Sequence, residues 1–260
     1  MNKATRKKNL VPALITVAAA AASVGLSTPA LAAEVTRIYV VEVPAPKDHA
    51  FREGVVAWHA CERANGNHSS VLVYDAETGD VGRYAFLDVG TDWAQMDRKN
   101  PAEKACSALF RDSVLPNVSS ATSEILQENS KLSYMPGGDP DPAPMVWVNA
   151  FRIKPGHGDE FHAGLEKFAA AAAKTRWQGH FTGYDVMGAG AGGEDFLLVW
   201  PNKNWADIGT DPNPSIKDMM NSVYGKSAAE ASHKRFFDSV AADWADAWSY
   251  DKTLSATPEK

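Results

Sequence analysis

The sequence predicts an α+β protein in which one pattern is written twice, and three observations carry that expectation. Residues 43–58, VPAPKDHAFREGVVAW, and residues 153–168, IKPGHGDEFHAGLEKF, share their apolar spacing at an offset of 110. Each stretch follows a short apolar run and precedes two more, so both copies spell β-α-β-β-α-β. Between them YMPGGDPDPAPM (134–145) holds four prolines and two glycines, the composition of a semi-rigid linker. The expected organisation is therefore a first domain at 34–133, the linker at 134–145 and a second domain at 146–255.

In the first copy Arg37–Val43 reads as a strand, and Pro44 and Pro46 punctuate the turn after it. Phe51, Val55 and Trp58 then recur at i, i+4 and i+7, one apolar stripe of a helix that Asn65-Gly66 stops. SSVLVY and RYAFLDV flank the loop DAETGD as a hairpin. Trp93-Ala94 opens a helical region that restarts at Asn100-Pro101, and SEILQENSKLS closes the unit as a strand.

The second copy repeats this order. Val146–Ile153 is its strand, and Phe161, Leu165 and Phe168 its helix stripe. HFTGYDVM and FLLVW flank the glycine-rich loop GAGAGGED, now at an offset of 112 from the first copy. That loop lies between strands and opens no helix, so it reads as a hairpin rather than a phosphate cradle. A helical region from Trp205 restarts at Asp211-Pro212-Asn213-Pro214, and DAWSYDKTLS aligns with SEILQENSKLS at an offset of 122. A sheet of this ferredoxin-like kind carries helices on one face and leaves the other bare. Two copies can cover those bare faces with each other, giving a pseudo-dimeric α+β barrel. The alternative is two independent domains, each paired with a second copy of the chain.

The chain begins with Lys3, Arg6, Lys7 and Lys8, an apolar run from Leu10 to Leu26, and Ala30-Leu31-Ala32. This is the pattern of a cleaved signal peptide over residues 1–32, with an uncleaved anchor as the other reading. It implies a periplasmic or secreted protein. The formal net charge is −6, and loss of the four leader cations leaves the remainder near −10. Such a surface repels phosphate backbones and anionic lipid, so neither nucleic acid nor a membrane is an expected partner after cleavage. The two cysteines, Cys61 and Cys106, each fall near the inward face of an expected helix. An oxidising compartment permits a structural disulfide between them; two buried thiols are the alternative.

The element order, the strand–turn–helix start NAFRIKPGHGDEFHAGLEKF and the strand exit LLVWPNKNWAD resemble the dimeric α+β barrel superfamily. That group includes antibiotic-biosynthesis monooxygenases, NIPSNAP-like proteins and haem-degrading monooxygenases. The resemblance covers nearly the whole chain after the leader, as a tandem fusion. It implies a ligand site between sheet and helices or inside the barrel. The haem-degrading members carry a strand asparagine seven residues before a glycine, with a tryptophan and a histidine from the second helical region. Asn149 stands seven residues before Gly156 and matches; the tryptophan position falls on Gly209, with Trp205 a turn earlier, and His233 lies in the right region. In the first copy Tyr39 stands where Asn149 does.

From the residues themselves, His180 and Tyr184 share a strand parity, with Thr182 between them. If that face is inner, an imidazole and a phenol point into the cavity and suit acid–base work. The candidate catalytic residues are thus Asn149, His180 and Tyr184. No histidine pair has zinc-ligand spacing, and no metal is expected. Trp147, Trp177, Trp200, Trp205, Trp244 and Trp248 all lie in the second copy, which places any aromatic pocket there. The expectation is a protein that binds a small apolar or aromatic molecule and oxidises it without a cofactor. A non-catalytic binding or stress-related module and a haem-binding enzyme are the alternatives.

Overall fold

The computed structural model describes residues 34–138 and 142–257; the signal peptide assigned to 1–32 and linker residues 139–141 lie outside the described residues. Strands β1 (Glu34–Glu42), β2 (Ser70–Ala76), β3 (Arg83–Asp92) and β4 (Ser120–Glu128) belong to the first half of the chain. The second half supplies β5 (Met145–Ile153), β6 (Thr182–Gly188), β7 (Phe196–Asn202) and β8 (Val240–Tyr250). All eight close into one barrel in the order β1-β3-β2-β8-β5-β7-β6-β4. Every pairing is antiparallel. The first-half strands run β4-β1-β3-β2 and the second-half strands β8-β5-β7-β6. They meet at two seams, β2 with β8 (Tyr74 opposite Tyr250) and β4 with β6 (Leu126 opposite Val186). A closed barrel leaves no unpaired edge.

Side-chain alternation divides each strand between two environments. Ile38, Leu72, Leu126, Ala150, Leu197 and Trp248 point inward and form one core cluster. The outward residues pack under helices. Helix α1 (Asp48–Ala64) lays its stripe of Phe51 and Val55 on Val73 and Tyr84, and α3 (Gly158–Thr175) lays Phe161, Leu165 and Phe168 on Phe151, Phe196 and Leu198. Phe51 and Phe161 are fully buried, each contributing about 2–3 kcal/mol by area.

Helix α2 (Glu103–Leu109) covers α1 and runs on into a π-helical turn, Phe110–Val114. A disulfide joins Cys61 on α1 to Cys106 on α2. In the second half this layer consists of α4 (Trp205–Ile208), α5 (Ile216–Tyr224) and α6 (Lys226–Ser239). The repeat-matched glycines, Gly54 and Gly164, sit where the outer layer crosses each long helix. A Cβ on Gly54 would lie 2.4 Å from the Ser113 carbonyl oxygen, and one on Gly164 would lie 3.0 Å from Phe236.

Three strand assignments differ from expectation. The closing strands begin earlier than SEILQENSKLS and DAWSYDKTLS suggest, at Ser120 and Val240. In addition, β6 starts at Thr182 and so excludes His180. After α3 the chain turns through Arg176 at φ 50°, and Trp177 is buried with its indole N–H donating to Pro214 O at 2.7 Å. Gly179 passes so near that ring that a Cβ there would lie 2.3 Å from it. Pairing resumes only at Phe181, bridged to Tyr134.

Candidate functional site

A cleft of about 620 Å3 opens between the outer face of β5 and β7 and helices α3, α5 and α6. Its walls are Leu165 and Phe168 from α3, Met220 from α5, and Phe236 and Phe237 from α6. Phe168 stacks on Phe181 at 4.5 Å, and Phe181 in turn lies 5.1 Å from Trp200, so the inner end is an aromatic wall. Lys217, Glu230 and His233 stand exposed at the mouth, beside Ile216 and Phe237, which are 43% and 46% exposed.

The floor carries one polar pair. Asn149 faces Leu198 across β5 and β7, which places Trp200 on the diagonal of the same face. Trp200 Nε1 donates to Asn149 Oδ1 at 2.9 Å. An indole N–H only donates, so the amide oxygen must face it. The Asn149 Nδ2 donors are left toward the cleft, with no hydrogen bond among the described residues. On the wall, the His233 ring lies 4.7 Å from Phe237, and its nitrogens likewise carry no hydrogen bond among the described residues.

The three residues singled out by sequence are not brought together. Asn149 lies in this cleft. Tyr184 points the other way and lines the barrel interior. His180, two positions before β6, is exposed, with its ring edge-on to Tyr134 at 5.9 Å; neither cavity includes it. Sequence reasoning overlooked the pairing of Trp200 with Asn149, because it sought a tryptophan on the helices. Trp200 and Asn149 are cross-strand neighbours, and the alignment of the hairpin partner FLLVW against NAF would have shown it. Gly209, where the resemblance puts that tryptophan, follows α4 and does not line the cleft.

Other titratable groups are shifted away from the cleft. Burial pushes the His59 imidazole on α1 down to about 4, with Arg63 adding to the effect. Desolvation and the Glu194 carboxylate push Glu124 up to about 7, and desolvation and Asp251 raise Asp75 to about 6 against the pull of Arg52. Arg52 bridges Asp75 (3.3 Å) and Asp251, tying α1 and β2 to the segment after β8. Among the described residues no group of three or more His, Cys, Asp or Glu side chains is arranged to hold a metal ion.

No protein-family model matches the chain, and no curated protein matches it. Solved structures do. A Lactobacillus acidophilus NCFM protein provisionally assigned as a monooxygenase superposes with a TM-score of 0.52 at 9% identity, covering 86% of this chain and 96% of its own. An anthrone oxidase-like protein gives 0.52 at 13% identity, with 86% and 93% covered. A chlorite dismutase from Candidatus Nitrospira defluvii gives 0.50 at 8% identity, with 85% and 92% covered. At such identities the likeness is one of fold. The eight-stranded antiparallel barrel with helices outside is the fold that this chain shares with them.

Proposed function

We propose that the chain is an exported small-molecule-binding protein of this barrel type, in which 34–133 and 146–255 act as tandem ferredoxin-like units. Residues 1–32 serve as the leader that takes it to the periplasm or beyond. The carrying observation is the Asn149–Trp200 pair on the floor of an aromatic cleft. A fixed amide donor beneath flat apolar walls suits an aromatic molecule bearing one acceptor oxygen, a ketone or a phenolate. The same geometry supports oxidation by dioxygen without a resident metal. Hydrogen bonds from Asn149 Nδ2 stabilise the enolate or phenolate form of the substrate, and His233 at the mouth accepts the proton that forms it. Neighbours of the same fold described as monooxygenase and anthrone oxidase-like support that chemistry.

Anthrone and anthracene, matched in shape and differing in the acceptor oxygen, test the site by quenching of tryptophan fluorescence. Anthrone is expected to bind about tenfold more tightly, equivalent to one hydrogen bond of about 1.4 kcal/mol. Asn149→Ala should erase the difference, and the exposed His180→Ala should leave it intact. Equal affinity for both compounds, or an Asn149→Ala protein that still prefers anthrone, overturns the reading. Oxygen uptake with anthrone, lost in His233→Ala, separates an enzyme from a binding module.

The donor set also fits haem, which gives a second reading. His233 would supply the imidazole ligand to iron and Lys217 a cation for a propionate, while the apolar walls take the macrocycle. Haem bound there would supply redox chemistry at its iron. Titration with haem should give a Soret band that His233→Ala shifts or abolishes; a chain that shows none does not bind haem.

A further inference from the structure

On the other side of the sheet the inward faces of the strands enclose a second cavity, of about 530 Å3. Ile38, Leu87, Val148, Leu197 and Trp244 are among its apolar walls. It has its own charged groups, and the two seams treat them differently. At the β2/β8 seam Arg83 donates to Asp246 at 3.0 Å, and its guanidinium lies 5.1 Å from the centre of the Trp248 ring. A cation is thus held between a carboxylate and an indole face, both lining the cavity.

The β4/β6 seam is its counterpart. In the alignment of the closing strands at an offset of 122, Glu124 on β4 stands where Asp246 stands on β8. Where the other seam brings in Arg83 from the β2–β3 hairpin, this one brings in Glu194 from the β6–β7 hairpin. Glu124 and Glu194 both line the cavity and interact carboxyl to carboxyl. Among the described residues no lysine, arginine or histidine forms an ion pair with either. Two such carboxylates coexist by sharing a proton or by holding a cation between them. The neighbouring polar side chains on the wall, Glu128 and Tyr184, bring no positive charge.

We propose that the barrel interior is a second binding site, which takes a small organic cation: a primary amine or guanidine with a compact apolar body. The cationic head sits between Glu124 and Glu194, in the role that Arg83 plays for Asp246, and the body lies against Val148 and Leu197. This site is on the opposite face of the sheet from the Asn149 cleft and does not depend on what the cleft binds.

Phenethylamine, with phenethyl alcohol and 3-phenylpropionate as neutral and anionic matches, tests the proposal by calorimetry at pH 8 on the full chain. Phenethylamine is expected to bind at least about tenfold more tightly than the alcohol, the worth of one charge-assisted contact. The propionate should not bind. Lowering the pH to 5 should weaken the amine, because Glu124 is then protonated. The double variant Glu124→Gln/Glu194→Gln removes a like-charge pair without a change of shape, so it should stay folded and lose the preference for amine. Glu194→Arg supplies the missing cation from the chain itself and should abolish amine binding with circular dichroism unchanged. Asn149→Ala should retain it. Absence of amine binding to the parent protein, equal affinity for amine and alcohol, or full affinity in Glu194→Arg would each overturn the proposal.

Discussion

The two halves of the barrel share a strand order and a long amphipathic helix, yet they finish their outer faces in different ways. In the first half α2 and its π-helical turn press directly on α1. Trp58 packs on Phe110 at 4.8 Å, Phe51 on Tyr84 at 4.9 Å, and a disulfide locks the two helices together. In the second half the offset between the copies grows from 112 to 122, so about ten more residues lie between β7 and β8 than between β3 and β4. Those extra residues allow two full helices, α5 and α6, which stand off the sheet and leave the 620 Å3 cleft. The residue at the centre of the face changes accordingly. Tyr39, whose hydroxyl accepts a hydrogen bond from Arg37, becomes Asn149, held by Trp200 over the cleft floor. One half of the barrel is closely packed on its outer face, and the other carries the candidate site.

The most severe way to break this division is to unlock the first half. Cys61→Ser with Cys106→Ser opens a loop of 45 residues and is expected to cost about 4 kcal/mol, read as a lower urea midpoint. Affinity at the Asn149 cleft should not change in the folded protein. If ligand binding falls along with stability, the halves are not separable in this way. A narrower cut compares the matched glycines. Gly54→Ala drives a methyl group onto backbone, the Ser113 carbonyl oxygen at 2.4 Å, and should cost about 2–3 kcal/mol as overpacking. Gly164→Ala meets the Phe236 side chain at 3.0 Å, which can move into the cleft. There the gain of about 1 kcal/mol in helix propensity offsets most of the strain. The second variant should therefore stay near parental stability and alter ligand affinity, while the first does the reverse. Equal losses of stability would mean that both helix layers are packed alike.

The fold was legible because its signals are periodic: a stripe at i, i+4, i+7 and an alternating strand look the same wherever they occur, and here each occurs twice. The closing strands were harder. Helix α6 ends at Ser239 and β8 begins at Val240 with no glycine or proline between them, and VAADWAD mixes alanine and aspartate in a way that suggests no element. Parity alone put His180 and Tyr184 on one face of a strand. Parity holds only while a chain is in a strand, and the buried Trp177 keeps the chain out of the ladder until Phe181. The tryptophans pointed to the half that carries the cleft, but the opening of the cleft itself was not legible. It depends on how far α5 and α6 stand from the sheet, a tertiary distance that no spacing along the chain encodes. The contrast between the seams was present in the offset of 122, since Glu124 and Asp246 align there. It had no meaning until the barrel brought Arg83 to one and Glu194 to the other.

The smallest expected difference between the halves lies at the pair His59 and Ala169, which match at the offset of 110 and are both buried. Burial lowers the His59 imidazole to about 4, below its ordinary value of 6.5. Between those values the unfolded chain binds the proton and the folded chain does not, so stability rises with pH across this window and is lost as pH falls through it. The second half has no counterpart to that effect, because a methyl group does not titrate. Unfolding free energies from urea titrations at pH 7 and pH 4.5 should differ by about 2 kcal/mol for the parent protein from this group. In His59→Ala the acid loss should shrink by that amount, even though the variant starts lower at pH 7 for want of the packed ring. Should His59→Ala lose as much stability in acid as the parent, the acid sensitivity lies elsewhere.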